Sequence, residues 1–300
     1  MANPRLARLR RRWFSFSLLC ALILGLPIGC STLEQKEREL VFRIEPGTAY
    51  WFSGIPAGVE ERVLRSPEFD ETQSIHTWWW PAARKDAPTL LYLHGSRWNL
   101  TGQLFRIEQL HAMGFGVLAI DYRGFGQSLG ALPSERTVYE DAEIAWAHLL
   151  ELQPDPAKRF IYGHSLGGAV AVNLAETLAD EDAPQLGGLI IESTFTSLAD
   201  AAAAISNTSL PVHWLLSQKF DSLSKIDKVK VPVLIAHGTG DRYVPARFSE
   251  TLFAAANEPK RLLLIDGANH NNSLRMGRQQ YTQAIEALFQ GPATRALSLN

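Results

Sequence analysis

Short apolar runs recur along the chain at 89–93, 116–121, 159–162, 188–191, 231–236 and 261–265, each bounded by polar or glycine-containing stretches. Runs without polar alternation suit strands buried on both faces, as in parallel sheets covered by helices. Two extended segments precede them, around 60–65 and 74–80, and predict an antiparallel edge. Trp78, Trp79 and Trp80 alternate faces in such a strand and read as packing residues. Between the runs lie helical patterns at 100–113, 137–152, 166–178, 246–256 and 272–289. In the clearest of these, Val138, Ala142, Ala145, Leu149 and Leu152 share one face, Thr137 and Glu140 have capping-box spacing, and Pro154 follows the end. The alternation predicts an α/β fold, a mostly parallel central sheet with helices on both faces. The one long interval between strands, 195–230, contains Pro211 and Trp214 and predicts a short lid of one or two helices, not a second domain.

The first thirty residues follow another pattern. Arg5, Arg8, Arg10, Arg11 and Arg12 precede an apolar run, 13–28, broken only by Ser15 and Ser17; Gly29-Cys30 and a charged stretch follow. This is the layout of an export signal. As a helix the run spans about 24 Å, short of the roughly 30 Å hydrocarbon core, so a signal fits its length better than a membrane span. Leu26-Pro27-Ile28-Gly29-Cys30 resembles a bacterial lipoprotein box with Pro27 in place of the usual leucine, which predicts lipidation at Cys30 and a membrane-anchored protein of the bacterial envelope. An uncleaved N-terminal anchor and a cleaved soluble form are the alternatives. Arg11-Arg12-Trp13-Phe14 also has a twin-arginine look.

Charge sharpens this division. The chain carries a net charge of −2. Without the five leading arginines, 24 basic residues face 31 acidic ones, a balance of −7. A body that acidic has no electrostatic reason to bind nucleic acid. Both cysteines, Cys20 and Cys30, lie in the leading segment, so no disulfide framework is expected in the body. No ligand-spaced cluster suggests a metal, and no cofactor is expected.

The pattern G-x-S-x-G occurs twice, at Gly126-Gln127-Ser128-Leu129-Gly130 and Gly163-His164-Ser165-Leu166-Gly167. A serine nucleophile of this type needs a tight turn directly between a strand and a helix. Only Ser165 has both neighbours; Ser128 lies several residues past its strand, is followed by Pro133, and reads as loop. Serine attacks only when a base takes its proton and a carboxylate orients that base. His270, in the loop after the last strand, is the expected base, and Asp241, after the preceding strand, the expected carboxylate. Glu192, one strand earlier, and Asp266 compete with Asp241 for that role.

The order Ser165, Asp241, His270, with His94-Gly95, Asp121-Tyr122-Arg123-Gly124-Phe125-Gly126 and Tyr243-Val244-Pro245, resembles the α/β-hydrolase superfamily over about residues 60–290. Glu192-Ser193-Thr194-Phe195-Thr196-Ser197 and Phe220-Asp221-Ser222-Leu223 are similar to the short-lidded branch containing membrane-associated depalmitoylating and lysophospholipid hydrolases. The resemblance implies an oxyanion hole from the backbone N–H groups of Leu166 and Ser96, with Arg97 as the alternative to Ser96. Trp98 and Trp214 are candidates for lining an acyl pocket. These readings divide the chain into a signal segment (1–30), a linker and N-terminal extension (31–59), the hydrolase domain (60–290) and a tail (291–300). The expected activity is hydrolysis of carboxylic esters or thioesters, on small-molecule or lipid acyl substrates. The rival expectations are a serine aminopeptidase-like peptidase, or an envelope protein that uses a hydrolase fold for binding without catalysis.

Overall fold

The computed structural model describes residues 31–179, 185–206 and 216–289. Cys30 with the rest of the leading segment, and Trp214, lie outside the described residues. Eight strands, β1 (Glu60–Leu64), β2 (Ile75–Trp80), β3 (Thr89–Leu93), β4 (Gly116–Ile120), β5 (Arg159–His164), β6 (Gly188–Glu192), β7 (Val233–Gly238) and β8 (Lys260–Ile265), form one sheet in the order β1-β2-β4-β3-β5-β6-β7-β8. β2 runs antiparallel to β1 and β4, and every later pairing is parallel. The antiparallel edge agrees with the two extended segments and the parallel core with the apolar runs, except that β8, at the far edge of the sheet, is only partly covered and leaves Arg261 and Leu264 exposed.

The helices are α1 (31–42), α2 (Leu100–Ala112), α3 (Glu135–Leu152), α4 (Leu166–Ala179), α5 (Leu198–Ser206), α6 (Leu223–Ile226), α7 (Arg247–Ala255), α8 (Ser273–Met276) and α9 (Arg278–Leu288). One face of the sheet carries a core with residues of α3, α4 and α7, and the other a core with residues of α2, α8 and α9. Within β3 the alternation is plain: Leu91 and Leu93 enter the first core, Leu90 and Tyr92 the second. Trp78 and Trp79 likewise divide between the two faces.

Two helix boundaries differ from the sequence expectation. α3 begins at Glu135 because Ser134, not Thr137, is its cap: the Ser134 hydroxyl accepts the Thr137 N–H (3.2 Å) and Thr137 Oγ1 accepts the Ser134 N–H (2.8 Å). Thr137 thus fills the place of the reciprocal partner, and Glu140 faces Arg123 (2.7 Å). The single helix expected over 272–289 breaks at Gly277, where a Cβ would lie 2.3 Å from the Ile265 side chain; α9 lies against β8, while α8 turns toward α2 and β7.

The segment before β1 is bound to the body. Phe42 is fully buried between Phe125 and Phe220, edge-on to each at 6.3 and 6.2 Å. The Glu37 carboxylate accepts the N–H groups of Ser217 and Gln218, both at 2.8 Å. The Arg97 N–H donates to the Phe42 carbonyl, and the Glu45 N–H to the Arg97 carbonyl, each at 2.8 Å. A short strap therefore runs beside the loop that follows β3, where Arg97 adopts a left-handed backbone (φ 82°). Among the described residues, no helix is long and apolar enough to cross a membrane.

Candidate active site

The carboxyl ends of β5, β7 and β8 point to one edge of the sheet, the side on which open α/β sheets carry their ligands. Ser165 stands between β5 and α4 with no intervening loop, at φ 55°. A non-glycine residue in that region is uncommon and marks a constrained turn. The two motif glycines allow it: a Cβ on Gly163 would lie 2.2 Å from the Gly167 carbonyl oxygen, and one on Gly167 would lie 2.1 Å from that of Leu93. The helix start can therefore press against β3 and β5 while the Ser165 side chain remains partly exposed.

His270 lies in the loop between β8 and α8. Its Nε2 is 3.0 Å from Ser165 Oγ and its Nδ1 is 2.6 Å from Asp241 Oδ2. The Asp241 carboxylate leaves the turn after β7, where Oδ1 accepts the N–H groups of Tyr243 (2.8 Å) and Val244 (2.9 Å). Burial pushes the Asp241 carboxyl up, but hydrogen bonds from His237 and His270, the His270 charge and the Val244 N–H outweigh it and hold the group below its ordinary range. An ionised Asp241 places the His270 proton on Nδ1 and leaves the Nε2 lone pair toward the serine. The sequence-predicted Ser165, Asp241 and His270 are thus brought into one hydrogen-bonded chain.

The competing residues stand elsewhere. Glu192 ends β6 fully buried, with Oε2 on Arg106 Nε (2.8 Å) and contacts to the Tyr162 and Ser273 hydroxyls. Burial pushes its carboxyl up, yet the Arg106 guanidinium and the surrounding donors bring it down to about 2. Asp266 is exposed and accepts the Thr239 hydroxyl (3.1 Å). Ser128 is buried; its hydroxyl donates to the Asp121 carbonyl (2.6 Å) and accepts the His76 N–H (2.8 Å). Ser128→Ala is expected to leave hydrolysis unchanged and to cost about 1–3 kcal/mol by stranding a buried N–H. A thermal melt lowered by several degrees beside an unaltered kcat/KM checks it.

The loop after β3 adjoins the serine: a Cβ on Gly95 would lie 3.1 Å from Ser165 Cβ. Leu166 opens α4, so its N–H is among those a helix leaves without an intrahelical acceptor. The Arg97 N–H is committed to the Phe42 carbonyl, which sets Arg97 aside as a donor from that loop. Trp98, half-buried, is edge-on to Trp51 at 4.9 Å and lies against the first turn of α2. The Asp121–Gly126 motif is scaffold: Asp121 Oδ1 accepts the first N–H of α2, from Leu100 (2.8 Å), and Arg123 pairs with buried Asp141 (2.5 Å).

Three supporting residues were not assigned roles from sequence. His237 Nε2 faces two acceptors, Asp241 Oδ2 (3.2 Å) and the Val244 carbonyl (2.8 Å), while Nδ1 meets the Ser249 hydroxyl (2.7 Å). His164, buried directly before the serine, has Nε2 2.9 Å from the His270 carbonyl; burial, then Arg106, holds it well below the ordinary histidine range, so it stands neutral and donates. Tyr243 is exposed and sets its ring edge-on to His270 at 5.8 Å. His164 and Tyr243 lie within motifs already visible and His237 at the end of β7, but only the fold shows which way the side chains point. Among the described residues, no group of three or more His, Cys, Asp or Glu is arranged to hold a metal. A separate cleft of about 690 Å³ lies between α1, the start of α3 and residues 217–218; its Arg123 and Arg136 are already paired with Asp141 and Glu140.

Comparison with known proteins gives a consistent picture. Residues 85–227 match the hydrolase family described as serine aminopeptidase, S33. The chain is 34% identical over 240 residues to the uncharacterized protein Rv2307c of Mycobacterium tuberculosis, covering 79% of this chain and 81% of that one. It is 32% identical over 225 residues to the lysophosphatidylserine lipase ABHD12 of Danio rerio, covering 70% of this chain and 58% of that one. Among solved structures, the Pyrococcus furiosus esterase Pf2001 superposes with a TM-score of 0.62 at 17% identity, over 82% of this chain and 99% of that one.

Proposed function

Because this chain belongs to the α/β-hydrolase superfamily, we propose that Ser165, His270 and Asp241 act together to hydrolyse carboxylic esters or thioesters through an acyl-enzyme. The observation that carries this reading is the unbroken Asp241–His270–Ser165 chain at 2.6 and 3.0 Å, set on the strained turn between β5 and α4.

The steps follow from the geometry. Ser165 Oγ attacks the acyl carbonyl as its proton passes to His270 Nε2, and Asp241 stabilises the imidazolium through Nδ1. In this reading the backbone N–H groups of Leu166 and Ser96 receive the oxygen that becomes negative, a contribution of about 3–4 kcal/mol for each such donor. His270 then returns the proton to the leaving alkoxide or thiolate. Water, deprotonated by the same nitrogen, attacks the acyl-serine and restores the enzyme.

The substrate class is read as acyl esters with a lipid-like acyl chain. The lipase activity in the name of the Danio rerio relative favours this reading, as does the lipobox-like segment ending at Cys30, which would set the enzyme beside a membrane of the cell envelope. The family description favours a second reading, a peptidase acting on aminoacyl amides. The test is fluorophosphonate labelling of the purified full chain, followed by turnover of a lysophospholipid, an acyl thioester and an aminoacyl amide. Labelling with preferred turnover of the ester or thioester supports the proposal. Preferred turnover of the amide replaces it with the peptidase, and absence of labelling from folded protein with the non-catalytic binding protein.

A further inference from the structure

We propose that Glu192 is a positioning residue that fixes the spacing between nucleophile and base by holding both of their loops at once. The inference rests on the roles given above to Ser165 and His270.

Glu192 reaches the serine through its main chain. Its carbonyl accepts the Ser165 N–H at 2.9 Å, so the end of β6 secures the strained turn. Its carboxylate reaches the histidine loop. Oε1 accepts the Ser273 hydroxyl and the Leu274 N–H (3.4 Å), both from α8, which opens three residues after His270. Oε2 meets the Tyr162 hydroxyl and Arg106 Nε.

Arg106 extends the tie from α2. Its Nη2 donates to the Asn271 carbonyl (3.4 Å) and its Nη1 to Gln103 Oε1 (3.1 Å), which also accepts the Tyr92 hydroxyl (3.0 Å). The loop itself is a local turn on the surface: Asn269 and Asn271 are exposed, and its internal contacts run only between Asn269, Asn271 and Asn272. Such a turn defines its own shape, and its distance from β5 is set from outside it: His164 Nε2, at the end of β5, meets the His270 carbonyl (2.9 Å), and the Glu192 carboxylate holds the start of α8 from beneath.

Stability alone does not explain the arrangement. A buried ion pair pays a desolvation penalty that well-packed apolar residues of similar volume avoid. Here Arg106 and Glu192 are both buried, and the side-chain hydrogen bonds of the pair outside α2 lead to the strand that carries the nucleophile, to the histidine loop and to α8. Reaction rates are steep in this coordinate, since a displacement of about 1 Å can cost 10²-fold.

Ser273→Ala in the full chain is the direct test, because it removes one hydroxyl from the tie and leaves the ion pair and Ser165, His270 and Asp241 intact. The expected result is a fall in kcat of about tenfold, with KM within about twofold and an equal slowing of fluorophosphonate labelling. Arg106→Lys, which keeps a charge beside Glu192 but gives up the Asn271 carbonyl, is expected to show the same split and stands in if the alanine variant fails to fold. A folded variant whose kcat matches wild type, or whose loss lies wholly in KM, overturns the inference. Ser165→Ala separates the two layers: if it still hydrolyses esters, the underlying reading has failed; if it is inactive while Ser273→Ala matches wild type, only the role of Glu192 has failed.

Discussion

Ser165→Ala is expected to lower kcat/KM for acyl esters by about 10⁴-fold or more, while the protein folds and melts as wild type does. The fold should be indifferent because serine and alanine share a Cβ, and the constraint at φ 55° falls on either. His270→Ala should be as damaging, and the double variant scarcely worse, since groups that act as a unit do not add. Asp241→Asn should cost about 10⁴-fold by a different route. An amide can present an N–H to His270 Nδ1, which favours the tautomer whose Nε2 carries a proton and cannot accept one from Ser165. The measurement is kcat/KM against an activated ester, with the active fraction counted by fluorophosphonate. A Ser165→Ala protein that keeps more than about 1% of wild-type turnover is incompatible with the proposed mechanism.

The second large effect is on stability. Gly167→Ala is expected to destabilise the protein by roughly 4 kcal/mol or more, or to prevent folding, because the new Cβ would lie 2.1 Å from the Leu93 carbonyl oxygen. Neither side can yield: Leu93 is the end of the central strand β3, and residue 167 is fixed in the first turn of α4. Gly267→Ala provides the contrast. That glycine has φ 67° but nothing within 4 Å of an added Cβ, so only the left-handed backbone is penalised, by about 1–2 kcal/mol. Urea unfolding of both variants, compared at a common m-value, checks the ranking; equal losses would mean that backbone conformation, and not the closeness of helix to strand, governs this motif.

The sequence makes the sheet legible because parallel strands buried on both faces must be apolar throughout. Residues 89–93 are bounded to the residue for this reason, with Thr89 opening the strand and His94 following it. The choice of Ser165 over Ser128 was legible as well, since a strand before and a helix after are local properties. Less was visible where two elements compete for the same residues. Thr137 carries a cap signature of its own, but Ser134 precedes it and takes the helix a turn earlier. The break at Gly277 depends on Ile265, a partner twelve residues away, and no periodicity encodes it. Glu192 shows the same limit in the site: its place at a strand end made it a rival to Asp241, and only the position of Arg106 on a distant helix gives it a different set of partners.

The strap from Phe42 to Glu45 bears on how the body can be transplanted. A graft that begins at β1 would carry all eight strands with Ser165, Asp241 and His270, and would look complete by any count of sheet or motif. It would lack the ring that fills the space between Phe125 and Phe220, and both main-chain partners that keep Arg97 left-handed next to Ser96. The transferable unit therefore starts before the sheet does. Whatever anchor a chimera supplies, residues 42–45 have to travel with the body.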